Sequence, residues 1–293
     1  MFLKRTIEDV LEHARADTEI IAVLDGAWAE PAIPDHPRVT LLYHPSPIGQ
    51  RAAVNEAARL SKAKYILKAD AHCSFEEGFD VTLMADIERD WTVIPRMYNL
   101  HAFDWLCMTC GNKTYQGGRP LKCEKCEGVM FEMDMVWKPR LHKRSDFARF
   151  DHELRFQYWR AYEQRPEAQG DIADTMCFVG ACFFMERERF WELGGLDEGH
   201  GSWGQMGVEI SLKSVLSGGR LVVNKRTWFA HLFRTQPGFG FPYTIHGSDQ
   251  EKAREYSRDL WLNNKWKQAV RPLSWLVDKF APVPDWHEVM AAV

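Results

Sequence analysis

The chain opens with apolar residues at helical spacing: Leu3, Ile7, Val10, Leu11 and Ala14 share one face, which predicts an amphipathic helix. Short apolar runs then alternate with helix-length stretches. Glu19–Leu24, followed by Asp25 and Gly26, predicts a strand with a turn at its carboxyl end, and Val39–Tyr43 predicts a second. An alanine-rich helix is expected from Gln50 to Ser61, then a strand over Tyr65–Ala69 ending at Asp70, then another over Trp91–Pro95. Strands alternating with helices of this length predict a doubly wound α/β fold, with a mostly parallel sheet and helices on both faces.

The rhythm breaks over residues 101–139. It resumes with the apolar run Cys177–Met185, a short helix at Arg187–Leu193, a glycine-dense loop from Gly194 to Gly207 and a helix over Val208–Ser217. Two strands, Arg220–Asn224 and Thr227–His231, close the sheet, and the capping box Ser248-Asp-Gln-Glu251 opens a C-terminal helix. The expected units are 1–100, an insertion at 101–139, a second α/β half at 140–245 and a helical tail at 246–293.

The insertion has its own chemistry. It holds Cys107-Met-Thr-Cys110 and Cys123-Glu-Lys-Cys126, each with a glycine close behind (Gly111, Gly128). Two such knuckles supply four thiolates to a tetrahedral Zn²⁺, and with cysteine in every position no site is left for water, so the zinc is structural. The other three cysteines, Cys73, Cys177 and Cys182, favour a reducing compartment.

Composition narrows the class. At 293 residues, 45% hydrophobic and 27% charged, the chain is an ordinary globular protein, and a net charge of −4 gives no whole-chain affinity for polyanions. No apolar run approaches the ~18 residues of a membrane span. The N-terminal residues lack the pattern of a signal peptide, so the expected location is the cytoplasm.

In open α/β sheets ligands gather at the carboxyl ends of strands. Two strands here end in aspartate, Asp25 and Asp70. The second belongs to Lys68-Ala-Asp70-Ala-His72-Cys73, where alternation puts a carboxylate and an imidazole on one side, able to hold a divalent cation whose open positions go to phosphate oxygens. Further along come Trp203-Gly204-Gln-Met-Gly-Val-Glu209, Phe229-Ala-His231-Leu-Phe-Arg234 and Pro242-Tyr243.

Together these residues resemble a family-2-type glycosyltransferase with the GT-A fold, and most of all the polypeptide N-acetylgalactosaminyltransferases. The resemblance runs from about Leu3 to Trp266 apart from the insertion, and includes Phe150-Asp-His-Glu-Leu-Arg-Phe-Gln-Tyr158. It implies that Asp70, His72 and His231 bind Mn²⁺ (or Mg²⁺), with Arg234 beside the donor diphosphate. It also places Asp25 against uridine and Arg51 against the donor. Residues 1–100 then form the nucleotide-sugar-binding half and 140–245 the acceptor and metal half, with the zinc ribbon between them.

Three departures accompany the resemblance. The family's opening strand and Asn-Glu loop would precede Phe2, and its lectin module would follow the matched region. In the glycine loop Met206 and Gly207 replace an acidic and amide pair, leaving Glu209. Breaking a sugar–phosphate bond needs a cation and positive groups at the leaving diphosphate. A departing phosphate that accepts the acceptor's proton needs no protein base, which favours retention of configuration. Glu209 is then expected to position sugar or acceptor, and Trp203 to stack on the sugar.

The expected activity is therefore metal-dependent transfer of a sugar from a UDP-linked donor to a hydroxyl. The acceptor is a protein or glycan hydroxyl. An alternative is hydroxymethylated DNA, because nine basic residues stand against five acidic ones from Cys107 to Arg149, with Lys143 and Arg144 among them. A third reading is a non-catalytic zinc-ribbon binding module on a degenerate transferase scaffold.

Overall fold

The computed structural model describes residues 1–142, 145–240 and 247–286. In chain order the elements are α1 (Phe2–His13), β1 (Ile20–Asp25), β2 (Val39–His44), α2 (Gln50–Leu60), β3 (Tyr65–Ala69), β4 (Cys73–Phe75) and α3 (Phe79–Asp86). Then follow β5 (Trp91–Cys107), β6 (Lys113–Tyr115), β7 (Phe131–Arg140), β8 (Ala148–Phe150), β9 (Phe156–Tyr158), β10 (Ile172–Asp174) and β11 (Cys182–Glu186). The chain ends with α4 (Arg187–Glu192), α5 (Met206–Leu216), β12 (Arg220–His231), α6 (Gly247–Trp261) and α7 (Leu273–Lys279).

The main sheet has the order β10-β12-β5-β11-β3, with β4 added to β12 and with β6 and β7 added to β5. It is mixed rather than mostly parallel. Among the described residues only β1–β2 and β5–β12 pair in parallel, and β11 runs antiparallel to both β3 and β5. Helices cover both faces as expected. On one side α5, whose residues are all buried, packs with Phe190, Trp261 and Leu276. On the other, Phe79 and Leu83 of α3 pack with Phe75, Val93 and Phe229.

Three local patterns misled the periodicity reading. The strand begun at Trp91 continues for 17 residues to Cys107, straight through the expected boundary at residue 101. The four-cysteine hairpin is thus an extension of the central strand, with β7 antiparallel to it from Asn99↔Arg140 to Cys107↔Phe131. The two expected strands near the end are one, β12, whose pairing with β5 shifts register between Asn224 and Trp228. Asn224 supports that bulge by donating to Asp86 at 2.9 Å and accepting from the Arg226 N–H at 2.9 Å. In the run Cys177–Met185 only Cys182 onward is strand, since Gly180 (φ +86°) turns the chain beside α5.

The first helix has a polar side to its buried face. Thr6 and Asp9 are buried along with Ile7. The Thr6 hydroxyl oxygen accepts from the Cys73 N–H at 3.1 Å, and the Asp9 carboxylate accepts from the Ser74 hydroxyl at 2.8 Å and the Phe75 N–H at 2.7 Å. Because β4 pairs only with β12 among the described residues, this side-chain clamp takes over the hydrogen bonds its other edge lacks. It fixes the strand that immediately follows His72.

Candidate active site

The carboxyl end of β3 and the end of β12 bring three ligating groups together. β4 is antiparallel to β12 with Cys73 opposite His231, so the turn between β3 and β4 sets Asp70 and His72 against His231. One donor atom from each of the three lies within 4.8 Å of the others. His231 Nε2 is 3.1 Å from Asp70 Oδ2, and the His72 and His231 rings lie 4.7 Å apart between centroids. Residues 161 apart in sequence thereby share one site.

The electrostatics suit a cation. Burial pushes the Asp70 carboxyl upward, but the Lys68 ammonium and His231 outweigh it and hold the group well below the usual carboxylate range. Lys68, nearly buried, donates to Asp70 and also to the Gly180 carbonyl at 2.8 Å. His72 is pushed down to about 3, first by burial and then by His231, so its ring is neutral at pH 7 and keeps a lone pair for a metal. The buried Nδ1 of His231 has no hydrogen-bond partner among the described residues. An ionised carboxylate, a neutral imidazole and an orphaned ring nitrogen form a fitting donor set for Mn²⁺ or Mg²⁺.

Lys68 and Gln50 were missed from sequence. Gln50 donates to Asp70 Oδ1 at 3.3 Å from the start of α2. The signal for Lys68 was its spacing: a lysine inside an apolar strand, two residues before Asp70, points to the same side of the chain.

Of the other expected site residues, Arg51 and Glu209 are sealed in the interior. Asp25 ends β1 and accepts from the Ile48 N–H at 2.6 Å and the Gly49 N–H at 2.9 Å, so both its oxygens hold the loop that leads into α2. Arg51 does not reach an open site. Its side chain is 1% exposed and donates to Glu209 at 2.9 Å, to the Gly201 carbonyl at 3.2 Å and to the Gly204 carbonyl at 2.6 Å. Glu209 is likewise sealed inside, accepting also from Lys213 at 2.9 Å and from the Asp197 N–H at 2.6 Å. Burial pushes its carboxyl up, but Lys213, Arg51 and His200 prevail and hold it below its ordinary value. Both residues therefore pin the glycine loop, whose Leu196 is held in addition by Asn55 at 2.8 Å in each direction.

Trp203 is half-buried on that loop. Arg234 is near enough to His72 to depress its protonation; its guanidinium donates to the Gly240 carbonyl at 2.9 Å and lies 4.6 Å from the Phe239 ring. Pro242 and Tyr243 fall outside the described residues. At the head of α5, a Cβ on Gly207 would stand 2.0 Å from the Phe178 carbonyl oxygen, so no side chain fits where the resemblance has the amide, and the buried Met206 fills the acidic position.

The four cysteines also converge. Cys107 Sγ is 3.6 Å from Cys126 Sγ, and Cys110 Sγ is 3.7 Å from Cys123 Sγ. Four sulfurs about 2.3 Å from a zinc ion sit at tetrahedral edges of about 3.8 Å, so the spacing fits a shared metal. The knuckles close through Gly111 N–H to the Cys107 carbonyl and Glu127 N–H to the Cys123 carbonyl, both at 2.8 Å. In the first, Gly111 takes the left-handed turn; in the second Glu127 takes it (φ 60°). Gly128 serves close packing instead, since a Cβ there would lie 2.6 Å from the Thr109 hydroxyl. Backbone N–H groups of Thr109 and Cys110 face the Cys107 sulfur and, against the upward push of burial, lower its thiol to about 6.

Comparison with known proteins finds similarity to glycosyltransferases. Residues 2–104 match the family model described as Glycosyl transferase family 2. The chain is 23% identical over 258 residues to the putative polypeptide N-acetylgalactosaminyltransferase 13 of Drosophila melanogaster, covering 82% of this chain and 40% of that protein. It is 25% identical over 266 residues to the human polypeptide N-acetylgalactosaminyltransferase 13, covering 89% and 38%. The chain thus spans about two-fifths of the length of these relatives. Its fold is similar to that of GalNAc-T7, whose crystal structure contains UDP, GalNAc and Mn²⁺ (TM-score 0.67, 18% identity, 96% of this chain and 54% of that one). The GT-A architecture is therefore common to both. Among the described residues no helix is long and apolar enough to cross a membrane.

Proposed function

We propose that this chain is a metal-dependent glycosyltransferase that moves a sugar from a UDP-linked donor to a hydroxyl of a protein or glycan. The single observation that carries the reading is the convergence of Asp70, His72 and His231, three ligands from two distant strands, at the carboxyl end of a GT-A sheet. GalNAc-T7, of like fold, holds UDP and Mn²⁺, which supports the choice of donor and metal.

A bound divalent cation there supplies positive charge against the diphosphate as the sugar–phosphate bond breaks. The chain's own groups prepare that place. Lys68 keeps Asp70 ionised and oriented, and the burial of His72 keeps its ring neutral. Arg234 adds a second positive group near His72. The pinned loop carries Trp203, available to the sugar, and Glu209 acts only through the loop it holds.

Retention fits this arrangement. Glu209 is sealed in ion pairs, the buried Met206 stands where the resemblance has the acidic residue, and the Asp197 carboxylate accepts from Gly199 N–H and the Tyr256 hydroxyl, both at 2.9 Å. With these loop carboxylates engaged, the acceptor's proton passes to the leaving phosphate oxygen on the same face of the sugar. The DNA alternative gains no support: among the hairpin charges, Lys113 is paired with Asp134 and Lys122 with Glu127, and Arg140 lies over the Tyr115 ring. Lys143 and Arg144 lie outside the described residues. The four cysteines hold a structural Zn²⁺.

The test is to incubate the protein and Mn²⁺ with a panel of sugar nucleotides and measure nucleotide release. Release from a UDP-sugar that vanishes in His72→Ala supports the proposal, and no release from any donor by a folded, Mn²⁺-loaded protein contradicts it.

A further inference from the structure

The stretch that follows His231 is bedded on the cysteine hairpin. β12 ends at His231, and the chain then runs through Arg234 to Gly240 across the loop between β6 and the second cysteine pair. The Gly118 N–H donates to the Pro237 carbonyl at 3.0 Å. Two glycines make that approach possible: a Cβ on Gly118 would stand 2.8 Å from the Gly238 Cα, and one on Gly117 would stand 3.2 Å from Gln236 Cβ. The Phe239 ring meets Phe103 of β5 edge-on at 5.5 Å.

The hairpin side of this contact is itself braced. Buried Gln116 accepts from the Ala102 N–H at 2.7 Å and donates to the Leu100 carbonyl at 3.1 Å, filling the place where β5 and β7 slip register. Trp105 Nε1 donates to the Gly117 carbonyl at 3.1 Å. Trp105 also packs in the small cluster of Cys107, Cys123 and Phe131 at the base of the zinc knuckles. A continuous path of contacts therefore joins the four sulfurs to the backbone of residues 237–239, and from there to Arg234, which lies over the Phe239 ring.

We propose that the zinc-loaded hairpin is a positioning element for the segment after His231, holding Arg234 at the donor site through the Gly117–Gly118 contact with Gln236–Gly238. The zinc ion then acts at a distance on nucleotide binding, while touching neither the donor nor the catalytic metal. As far as it concerns nucleotide binding, the inference rests on the function proposed above. The positioning itself is readable without any donor.

The experiment compares the full-length wild type, the Gly118→Ala variant, and wild type stripped of zinc by a mercurial and chelator and then reloaded. The first readout is tryptic cleavage after Arg234, mapped by mass spectrometry without nucleotide or manganese. Cleavage of a held segment waits on local opening, so Gly118→Ala and zinc removal should each speed it by about tenfold or more, and zinc reloading should reverse the second effect. The second readout is UDP affinity in the presence of Mn²⁺, expected to weaken about fivefold or more in Gly118→Ala while that variant keeps its zinc.

Unchanged cleavage after Arg234 in zinc-stripped protein overturns the positioning claim, whether or not Gly118→Ala folds. Faster cleavage with unchanged UDP affinity overturns the link to nucleotide binding. Wild type that protects Arg234 in a zinc-dependent way but binds no UDP contradicts the proposed function and leaves the positioning standing.

Discussion

Arg51 and Glu209 meet at 2.9 Å in the interior, with side chains 1% and 0% exposed, although 158 residues separate them in sequence. The pair joins the head of α2 to the first turn of α5, and the glycine loop is strung between them. Removing one partner of a buried pair leaves an uncompensated charge, which costs about 3–5 kcal/mol. Glu209→Gln strands both Arg51 and Lys213. Its melting temperature should fall by roughly 10 °C. A wild-type melting temperature with lost turnover would instead make Glu209 a group of the reaction.

The same network predicts acid sensitivity. His200 is buried beside Arg51 and Glu209, and burial above all lowers its protonation below the ordinary value of 6.5. The unfolded chain therefore binds a proton there before the folded one, so stability falls as pH drops below about 6.5. Glu209, also depressed, adds to the loss once the pH passes below its ordinary value of 4.5. Each such group contributes a slope of up to about 1.4 kcal/mol per pH unit. Denaturant titrations between pH 7 and 5 should show stability falling with pH, and His200→Gln should remove about one proton's worth of slope. A flat profile in the wild type would contradict the assignment.

The metal ligands can be tested one by one. His72→Ala and His231→Ala each delete a donor atom while leaving the Lys68–Asp70 ion pair in place, so both should fold and both should lose metal-dependent donor turnover by about a hundredfold or more. Asp70→Ala should lose turnover too, but with lower stability, because it leaves the Lys68 ammonium buried without its carboxylate. Full turnover in any two of the three, compared by nucleotide release, would remove the metal assignment.

For the cysteines the expectation is one zinc per chain by elemental analysis, retained under mild chelation that strips the other metal. Cys107→Ser or Cys123→Ser should lower the melting temperature, because a structural zinc site contributes folding free energy directly. A protein free of zinc with Cys107 and Cys110 joined as a disulfide would contradict this.

What could be read from the sequence was local. Asp70 and His72 share a strand end, and the cysteine pairs carry their meaning in their spacing, so both were visible as short patterns. His231 entered only through its resemblance-bearing neighbours, Phe233 and Arg234. The pairing of Arg51 with Glu209 was invisible, since nothing near either residue marks its partner; Arg51 read as a donor contact through the resemblance, and Glu209 as the acidic residue left in the glycine-loop motif. The unity of β5 was hidden by Pro95 and by the polar residues after it. β12 read as two strands because its bulge places Lys225 and Arg226 between apolar runs. Mixed strand direction was equally hidden, because alternation of strand and helix predicts parallel pairing, and β11 reverses by way of the Gly180 turn.

The proposed function rests on a divalent cation held by Asp70, His72 and His231 that readies the site for a UDP-linked donor. Its most direct test is a Mn²⁺ titration followed by electron paramagnetic resonance, with UDP present, on zinc-loaded wild type and on His231→Ala. One bound Mn²⁺ per wild-type chain is expected, and none in the variant at the same concentrations. Equal binding in both, or full donor turnover in excess EDTA, would contradict it.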